Sequence, residues 1–167
     1  MKKLNLLKTI VDFTWILSVI FFPLVIVLSI MIIIDKETFD IPVTFTTGTI
    51  DLTNSFGKVS LVLNVLNFGV VLYAVHFFRK LLGSFVKRII FEDKISILLD
   101  KIGGLIIIAS IFQLSSDFTT KLSKHEVGIE FGYGPFVYLL VLGLFFKVLS
   151  EVFKMAINIK EENELTI

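Results

Sequence analysis

The chain has 167 residues, of which 55% are hydrophobic and 19% charged, and its mean hydropathy is +0.90; soluble domains are less apolar and more charged than this. The net charge of +1 excludes an overall positive field that would attract nucleic acid directly. The chain has no cysteine, which excludes disulfides, thiolate catalysis and cysteine-ligated metal sites.

Long apolar runs dominate the sequence. A helix needs roughly 20 apolar residues to cross a hydrocarbon core of about 30 Å. The runs that approach or exceed this length are residues 10–34, 59–78, 102–119 and 135–157. We therefore predict an all-α membrane protein, in which a four-transmembrane-helix bundle forms a single integral membrane domain over residues 1–167. The lipid bilayer is then its first partner.

The basic residues are distributed unevenly between the two ends of the predicted spans. Most of the sixteen Lys and Arg residues flank one end, namely Lys2, Lys3, Lys8, Arg79, Lys80, Lys87, Arg88, Lys94, Lys101, Lys154 and Lys160. The other end carries Lys36, Lys58, Lys121 and Lys124. Short segments rich in Lys and Arg stay in the cytoplasm. We therefore expect the first end, with both termini, to be cytoplasmic.

The first outer loop, residues 35–58, has a pattern typical of a β-hairpin. Its stretch FDIPVTFTTGTIDL alternates apolar and polar residues, and Thr47-Gly48 forms a natural turn. We predict strands near 39–46 and 49–53.

The second outer loop, residues 120–134, contains Val127, Ile129 and Phe131 in alternation with Gly128 and Glu130. This alternation predicts a third short strand, which would stabilise the hairpin. The two outer loops together would form a small extracytoplasmic sheet that caps the bundle.

The inner segment, residues 79–101, is amphipathic, because its apolar residues fall on one helical face. It either lies flat on the membrane surface or extends spans two and three as a helical hairpin. We favour the hairpin, because no Gly or Pro interrupts residues 78–82. The opposite face carries Arg79, Lys80, Lys87 and Arg88, which suit either anionic lipid headgroups or a cytoplasmic partner.

Polar side chains within the spans are candidates for interhelical contacts. Asn64 and Asn67 lie in span two, and Gln113 lies in span three. Amide side chains in lipid seek hydrogen-bond partners on neighbouring helices. A ligand pocket is the alternative interpretation.

The last span carries Lys147 one turn before Glu151, which places both on one helical face. The same face continues through Lys154, Asn158, Glu161 and Glu162, and Glu164 follows. Lys147 is either an ion or proton site in the bundle or a lysine that reaches the inner surface and pairs with Glu151. Asp12, an inner-leaflet charge near the start of span one, is the other candidate to neutralise Lys147.

No arrangement typical of an enzyme is present. The sequence has no Ser–His–Asp set at membrane depth, no HExxH motif and no phosphate-binding glycine loop. His76 and His125 fall at opposite ends of the spans, so they cannot share a metal. We expect a non-enzymatic protein without metal or cofactor.

Two stretches resemble the bacterial "domain of unknown function 2975" family. IIFEDKISILLDKIGGL (89–105) enters span three, and LSEVFKMAINIKEENELTI (149–167) closes the chain. The resemblance covers nearly the whole chain and implies a small four-span protein of the bacterial inner membrane. It also implies a regulatory role linked to the membrane, because members are often encoded near a small helix-turn-helix regulator.

Three functions fit the sequence. The first is a sensing or regulatory module whose inner surface, residues 79–101 and 150–167, engages a cytoplasmic partner. The second is a structural or accessory subunit that binds another membrane protein. The third is a small transporter or channel that uses Lys147, Glu151 and the Asn64/Asn67 face.

Overall fold

Long helices make up almost all of the chain in a computed structural model, which describes residues 2–34, 44–45, 48–124 and 134–165. The helices are α1 (Lys2–Ile34), α2 (Ser55–Val86), α3 (Asp93–Ser123) and α4 (Pro135–Leu165). All four are long and apolar enough to cross a membrane, and each satisfies its own backbone hydrogen bonds as a lipid environment requires. The predicted four-helix architecture is therefore confirmed, and it indicates a multi-pass membrane protein.

The predicted extracytoplasmic sheet is wrong. Among the described residues the only strands are β1 (Thr44–Phe45) and β2 (Gly48–Thr49), which pair antiparallel over two residues each. A pairing of this length is not a cap over the helices, and the predicted strand at 49–53 is absent. The third strand predicted around 127–131 lies outside the described residues.

The alternating residues after β2 form the turn that leads into α2. The Oδ1 atom of Asp51 accepts hydrogen bonds from the backbone N–H of Thr53 at 2.9 Å and from its hydroxyl at 2.6 Å, which bends the chain into a turn. The Asn54 side chain then caps α2. Ile50 and Leu52 are buried in a cluster with helical residues of α1 and α2. Their alternation therefore reflects packing on helix ends, not on a neighbouring strand.

The helices pack in chain order. α1 contacts α2, α2 contacts α3, and α3 contacts α4, and in the described part of the chain no other pair of helices approaches closely. Within an apolar stretch of 18 residues, 44% of α3 is buried inside the protein, whereas the corresponding stretch of α1 is only 6% buried. Helix α3 is therefore the centre of the fold, and α1 lies at its edge.

We call the end of the molecule at which α2 gives way to α3 the basic end. The residues that give it this name are Lys8, Arg79, Lys80, Lys87, Arg88 and Lys94. Helices α2 and α3 run through most of the amphipathic segment 79–101 and are interrupted only by the connection at 87–92. The segment is thus an extension of the two long helices.

The main hydrophobic core lies at the basic end. Its buried residues are Leu81, Ile95, Leu98, Leu99 and Ile102. Aromatic residues of α4 complete it, with Phe146 against Phe78 and Phe153 against Phe85 at ring-centroid distances of 6.2 Å. Apolar burial drives association only where water is the alternative solvent. A core at this position therefore suits helices that extend beyond the lipid.

Candidate functional site

The contact between α3 and α4 depends on two glycines. A Cβ atom added to Gly103 would lie 2.8 Å from the carbonyl oxygen of Gly143 and 3.0 Å from the backbone nitrogen of Lys147. A Cβ atom added to Gly143 would lie 2.7 Å from Cγ1 of Ile107. Small residues allow helix backbones to approach closely in lipid. The crossing of α3 and α4 thus leaves no room for a larger side chain on either helix.

Lys147 passes along this glycine surface and pairs with α3. Its Nζ atom donates a hydrogen bond of 2.6 Å to Oδ1 of Asp100. The side chain of Lys147 is 38% exposed and that of Asp100 is 55% exposed, so the pair stabilises the fold by at most about 1 kcal/mol. Neither the predicted Asp12–Lys147 pair nor the predicted Glu151–Lys147 pair forms. Glu151 instead lines a groove between α3 and α4 together with Asp100 and Lys154.

Asp12 is part of a charged and aromatic cluster between α1 and α2. Its carboxylate accepts a 2.5 Å hydrogen bond from Nε of Arg79 and lies 3.2 Å from Nζ of Lys8. The guanidinium of Arg79 lies over the ring of Trp15, 4.1 Å from its centroid. The ring of His76 also lies near Trp15, with the ring centroids 5.5 Å apart.

Because α2 is the only described helix that α1 contacts, Asp12 does not reach Lys147 on α4. The sequence did not predict the Asp12–Arg79 pair. One signal was available, since each residue borders an apolar run at the same predicted membrane surface.

A ladder of hydroxyl and amide groups joins α2 to α3. The hydroxyl of Ser60 lies 2.6 Å from that of Thr120 and 3.1 Å from that of Ser116. One turn along, Nδ2 of Asn64 donates to the Ser116 hydroxyl. Asn64 of α2 thus contacts α3. Sequence reasoning missed Ser60, Ser116 and Thr120, because single hydroxyls in a helix usually bond to their own backbone.

The ladder continues through amide side chains. Nδ2 of Asn67 donates to Oε1 of Gln113 at 3.0 Å, and Nε2 of Gln113 donates to Oδ1 of Asp117 at 2.8 Å. Oδ1 of Asn67 is buried without a hydrogen-bond partner. Asn64 and Asn67 also line a mainly apolar cavity of about 360 Å³ beside α1. The structure thus provides both interhelical bonds and a cavity at these asparagines.

The basic residues of the inner segment occupy different environments. Arg79 pairs with Asp12, and Nζ of Lys80 lies over the ring of Phe77, 5.5 Å from its centroid. Lys87 caps the end of α2. Arg88 has a φ of 60°, in the left-handed region that favours glycine. They therefore do not form one continuous basic face.

The acidic residues near the end of α4 lie beyond the core. Ile157 is the last buried residue of this helix, and residues 158–163 are all exposed. Glu161 and Glu162 are within this exposed part, and α4 includes position 164. The last turns of α4 thus project past the helices on which α4 packs.

The described residues contain no group of three or more His, Asp or Glu side chains that could hold a metal ion. His76 lies within the α1–α2 contact, and His125 is outside the described residues.

A family model described as "Protein of unknown function (DUF2975)" matches residues 9–167. No curated protein and no solved structure matches the chain.

Proposed function

The chain belongs to the family described as "Protein of unknown function (DUF2975)", and from its own geometry we propose a non-enzymatic regulatory module of the bacterial inner membrane. The basic end and both termini face the cytoplasm in this proposal, as the distribution of Lys and Arg predicts. The module presents the last turns of α4 to a basic cytoplasmic protein. A small helix-turn-helix regulator is the partner class that the family resemblance suggests.

One observation carries this proposal, which is the projection of α4 past its last buried residue, Ile157. Two isolated helical turns are unstable in water without a partner or a supporting helix. Here they continue a long helix, so they are already ordered for binding. A preformed helix loses little conformational entropy when a partner binds it.

The charge of this projection indicates the chemistry of the partner. Glu161 and Glu162 lie on its exposed surface, and Glu164 follows in the sequence. DNA-binding regulators carry basic surfaces that contact phosphates. An acidic helix can occupy such a surface in place of DNA. The regulator would then bind DNA only after its release from the membrane protein.

The first experiment places a photo-crosslinking residue at position 161 and, as a control, at position 141. Val141 is 60% exposed and lies in the apolar part of α4, so it should crosslink only to lipid or membrane proteins. We expect a soluble, basic protein at position 161 alone. Binding must then be reproduced with that purified protein and proteoliposomes. Identical products at both positions would contradict the proposal.

Substitutions then test the sign of the charge. Glu161→Gln should weaken binding by about two- to fivefold, because exposed charge pairs contribute up to about 1 kcal/mol. Lys160→Gln removes the opposite charge at the neighbouring position and should leave binding unchanged or strengthen it. Deletion of residues 158–167 should abolish binding. Equal weakening by Glu161→Gln and Lys160→Gln would show that charge does not select the partner.

A second candidate function, an accessory subunit of a membrane complex, is favoured by the exposure of α1. This helix exposes apolar side chains on most of its surface and contacts α2 alone among the described helices. A subunit of this kind should co-purify with another membrane protein from mild detergent. Crosslinks from Phe13 or Ile20, which are 68% and 66% exposed, would identify that protein.

A further inference from the structure

A cavity of about 420 Å³ at the basic end is lined by lysines from three helices. They are Lys8 of α1, Lys80 and Lys87 at the end of α2, and Lys94 at the start of α3. No carboxylate is among the described residues that line it. We call this cavity the lysine pocket.

The ends of the helices explain only part of this arrangement. Cations at the C-terminus of a helix interact favourably with its dipole, which accounts for Lys87 at the C-cap of α2. Lys80 lies more than one turn before this end, where the dipole has little effect. Lys94 lies in the first turn of α3, where the dipole favours anions instead. Lys8 comes from a separate helix. Lys8 is paired with Asp12 of its own helix, but no carboxylate among the described lining residues lies beside Lys80, Lys87 and Lys94. An anion bound in the pocket would therefore reduce the repulsion between these lysines.

The connection after α2 holds the pocket in shape. The N–H of Ile89 donates to the carbonyl of Ser84, and the N–H of Arg88 donates to the carbonyl of Phe85, both at 3.0 Å. These bonds form a Schellman motif with Arg88 at the position that glycine usually occupies. The motif fixes the chain on both sides of Arg88, and Lys87 and Ile89 line the pocket.

The depth of the pocket matches that of lipid headgroups. Lys80 lies two residues beyond the predicted apolar span 59–78, and Lys87 lies about 10 Å further along the helix axis. The polar layer on each side of the hydrocarbon core is about 5–7 Å thick. The pocket therefore opens at and just beyond this layer.

A second, mostly apolar cavity lies deeper in the same seam between α1 and α2. It has a volume of about 330 Å³, and Trp15, Gly69 and His76 contribute to its walls. Most of the lining residues that α2 and its C-cap contribute to the two cavities fall on one helical stripe, with intervals of three and four: Gly69, Leu72, His76, Lys80, Gly83 and Lys87. An acyl chain could follow this stripe into the bilayer.

We propose that the lysine pocket binds the phosphate of an anionic phospholipid, whose acyl chain lies along the α1–α2 seam. Basic pockets between membrane helices recognise lipid phosphates by charge. A soluble phosphate compound would offer the same anion, but it would not use the apolar cavity. The pocket lies apart from the projecting turns of α4, so this proposal does not depend on the partner proposed above.

The experiment measures retention of phosphatidylglycerol by the purified full-length chain with native mass spectrometry, and phosphatidylcholine is the neutral reference lipid. The double variant Lys87→Gln, Lys94→Gln should lose about 25-fold in affinity for phosphatidylglycerol, because each lysine contributes about fivefold to binding of an anionic lipid. Lys154→Gln, Lys160→Gln removes the same charge from α4 and should stay within about twofold of the wild type.

A steric variant keeps the test independent of the lysines. A Cβ atom added to Gly83 would have Cε of Lys8 at 3.8 Å, which is an ordinary contact with the end of a flexible side chain. The valine side chain of Gly83→Val therefore occupies part of the pocket beside Lys8 while every charge remains. It should reduce retention of phosphatidylglycerol to that of phosphatidylcholine. Unchanged retention would mean that phosphatidylglycerol binds a diffuse basic surface and not the pocket, which would overturn the proposal.

Competition with inorganic phosphate distinguishes the two sources of the anion. Excess inorganic phosphate should leave phosphatidylglycerol bound, since the acyl chain contributes to the affinity. Displacement by inorganic phosphate would overturn the lipid assignment, and so would equal losses in the two double variants. Binding of the α4 partner should be unchanged in Gly83→Val.

Discussion

Helices α1 and α3 are similar in length and are both apolar enough to cross a membrane, yet they are held in the structure in different ways. Helix α3 packs on both sides, with a ladder of hydrogen bonds to α2 and a close glycine contact to α4. Among the described helices, α1 packs on α2 alone. Near its start it is held by the Asp12–Arg79 pair, and at its end the Ile33 carbonyl accepts a hydrogen bond from Lys58 at 3.3 Å.

This difference shows how lipid as a solvent changes the requirements of a helix. An apolar helix is stable in the bilayer without burying its surface in protein, so α1 needs only a few specific contacts. A helix with Gln, Ser and Thr within the apolar region must bury them against partners, and α3 does so. We therefore expect substitutions in the contacts of α3 to destabilise the whole fold, and substitutions in the contacts of α1 to displace α1 alone.

The largest expected effect is at the α3–α4 crossing. Gly103→Ala places a methyl group 2.8 Å from the Gly143 carbonyl oxygen. The backbones must separate, and overpacking of this kind costs about 1–3 kcal/mol. Unfolding in mixed micelles, followed by circular dichroism, measures the change.

The matched control is the neighbouring residue. A Cβ atom at Gly104 would have only the mobile end of Lys147 nearby, at 3.8 Å, so Gly104→Ala should be neutral or slightly stabilising. Similar losses in both variants would mean that glycine flexibility, not close approach, determines this contact.

Gly103 and Gly143 illustrate what the sequence predicts and what it does not. Apolar runs identify membrane helices because lipid imposes length and hydropathy on every span. Gly143 lies one turn before Lys147 on the same face of α4, but the sequence does not identify Gly103 as its partner, since the relative register of two helices depends on packing between them. For the same reason the sequence alone did not identify Asp100 as the partner of Lys147.

The β cap was wrong for a different reason. Ile50 and Leu52 alternate with polar residues as strand residues do, but a period of two over such a short stretch also fits a turn that buries two side chains. The signals of that turn, Asp51, Thr53 and Asn54, were present in the sequence. Asp51 and Thr53 form the turn before α2, and the Asn54 side chain accepts a hydrogen bond from the N–H of Phe56 in the first turn of the helix.

A smaller effect is expected within the α2–α3 ladder. Ser60→Ala removes hydrogen bonds to Thr120 and Ser116 from a fully buried position. Interhelical hydrogen bonds in membranes average about 0.6 kcal/mol and reach about 1.7 kcal/mol, so we expect a loss near 1 kcal/mol in the same assay. Ser115→Ala is the control, because the Ser115 hydroxyl donates to the Ile111 carbonyl of its own helix. A loss in Ser115→Ala as large as that in Ser60→Ala would contradict an interhelical role.

The smallest effect on stability, with a clear local signal, is expected for α1. The Asp12 and Arg79 side chains are 26% and 23% exposed, so Arg79→Gln should lower the free energy of unfolding by less than about 1 kcal/mol. Trp15 is the only tryptophan of the chain and lies under the Arg79 guanidinium. Loss of this contact should let α1 move away from α2, and quenching of Trp15 fluorescence by brominated lipids should increase.

Lys101→Gln, which removes a cation near Phe77 on the other side of α2, should leave the quenching unchanged. If Arg79→Gln instead destabilised the fold as strongly as Gly103→Ala, α1 would be as integral to the structure as α3, and the contrast between the two helices would fail.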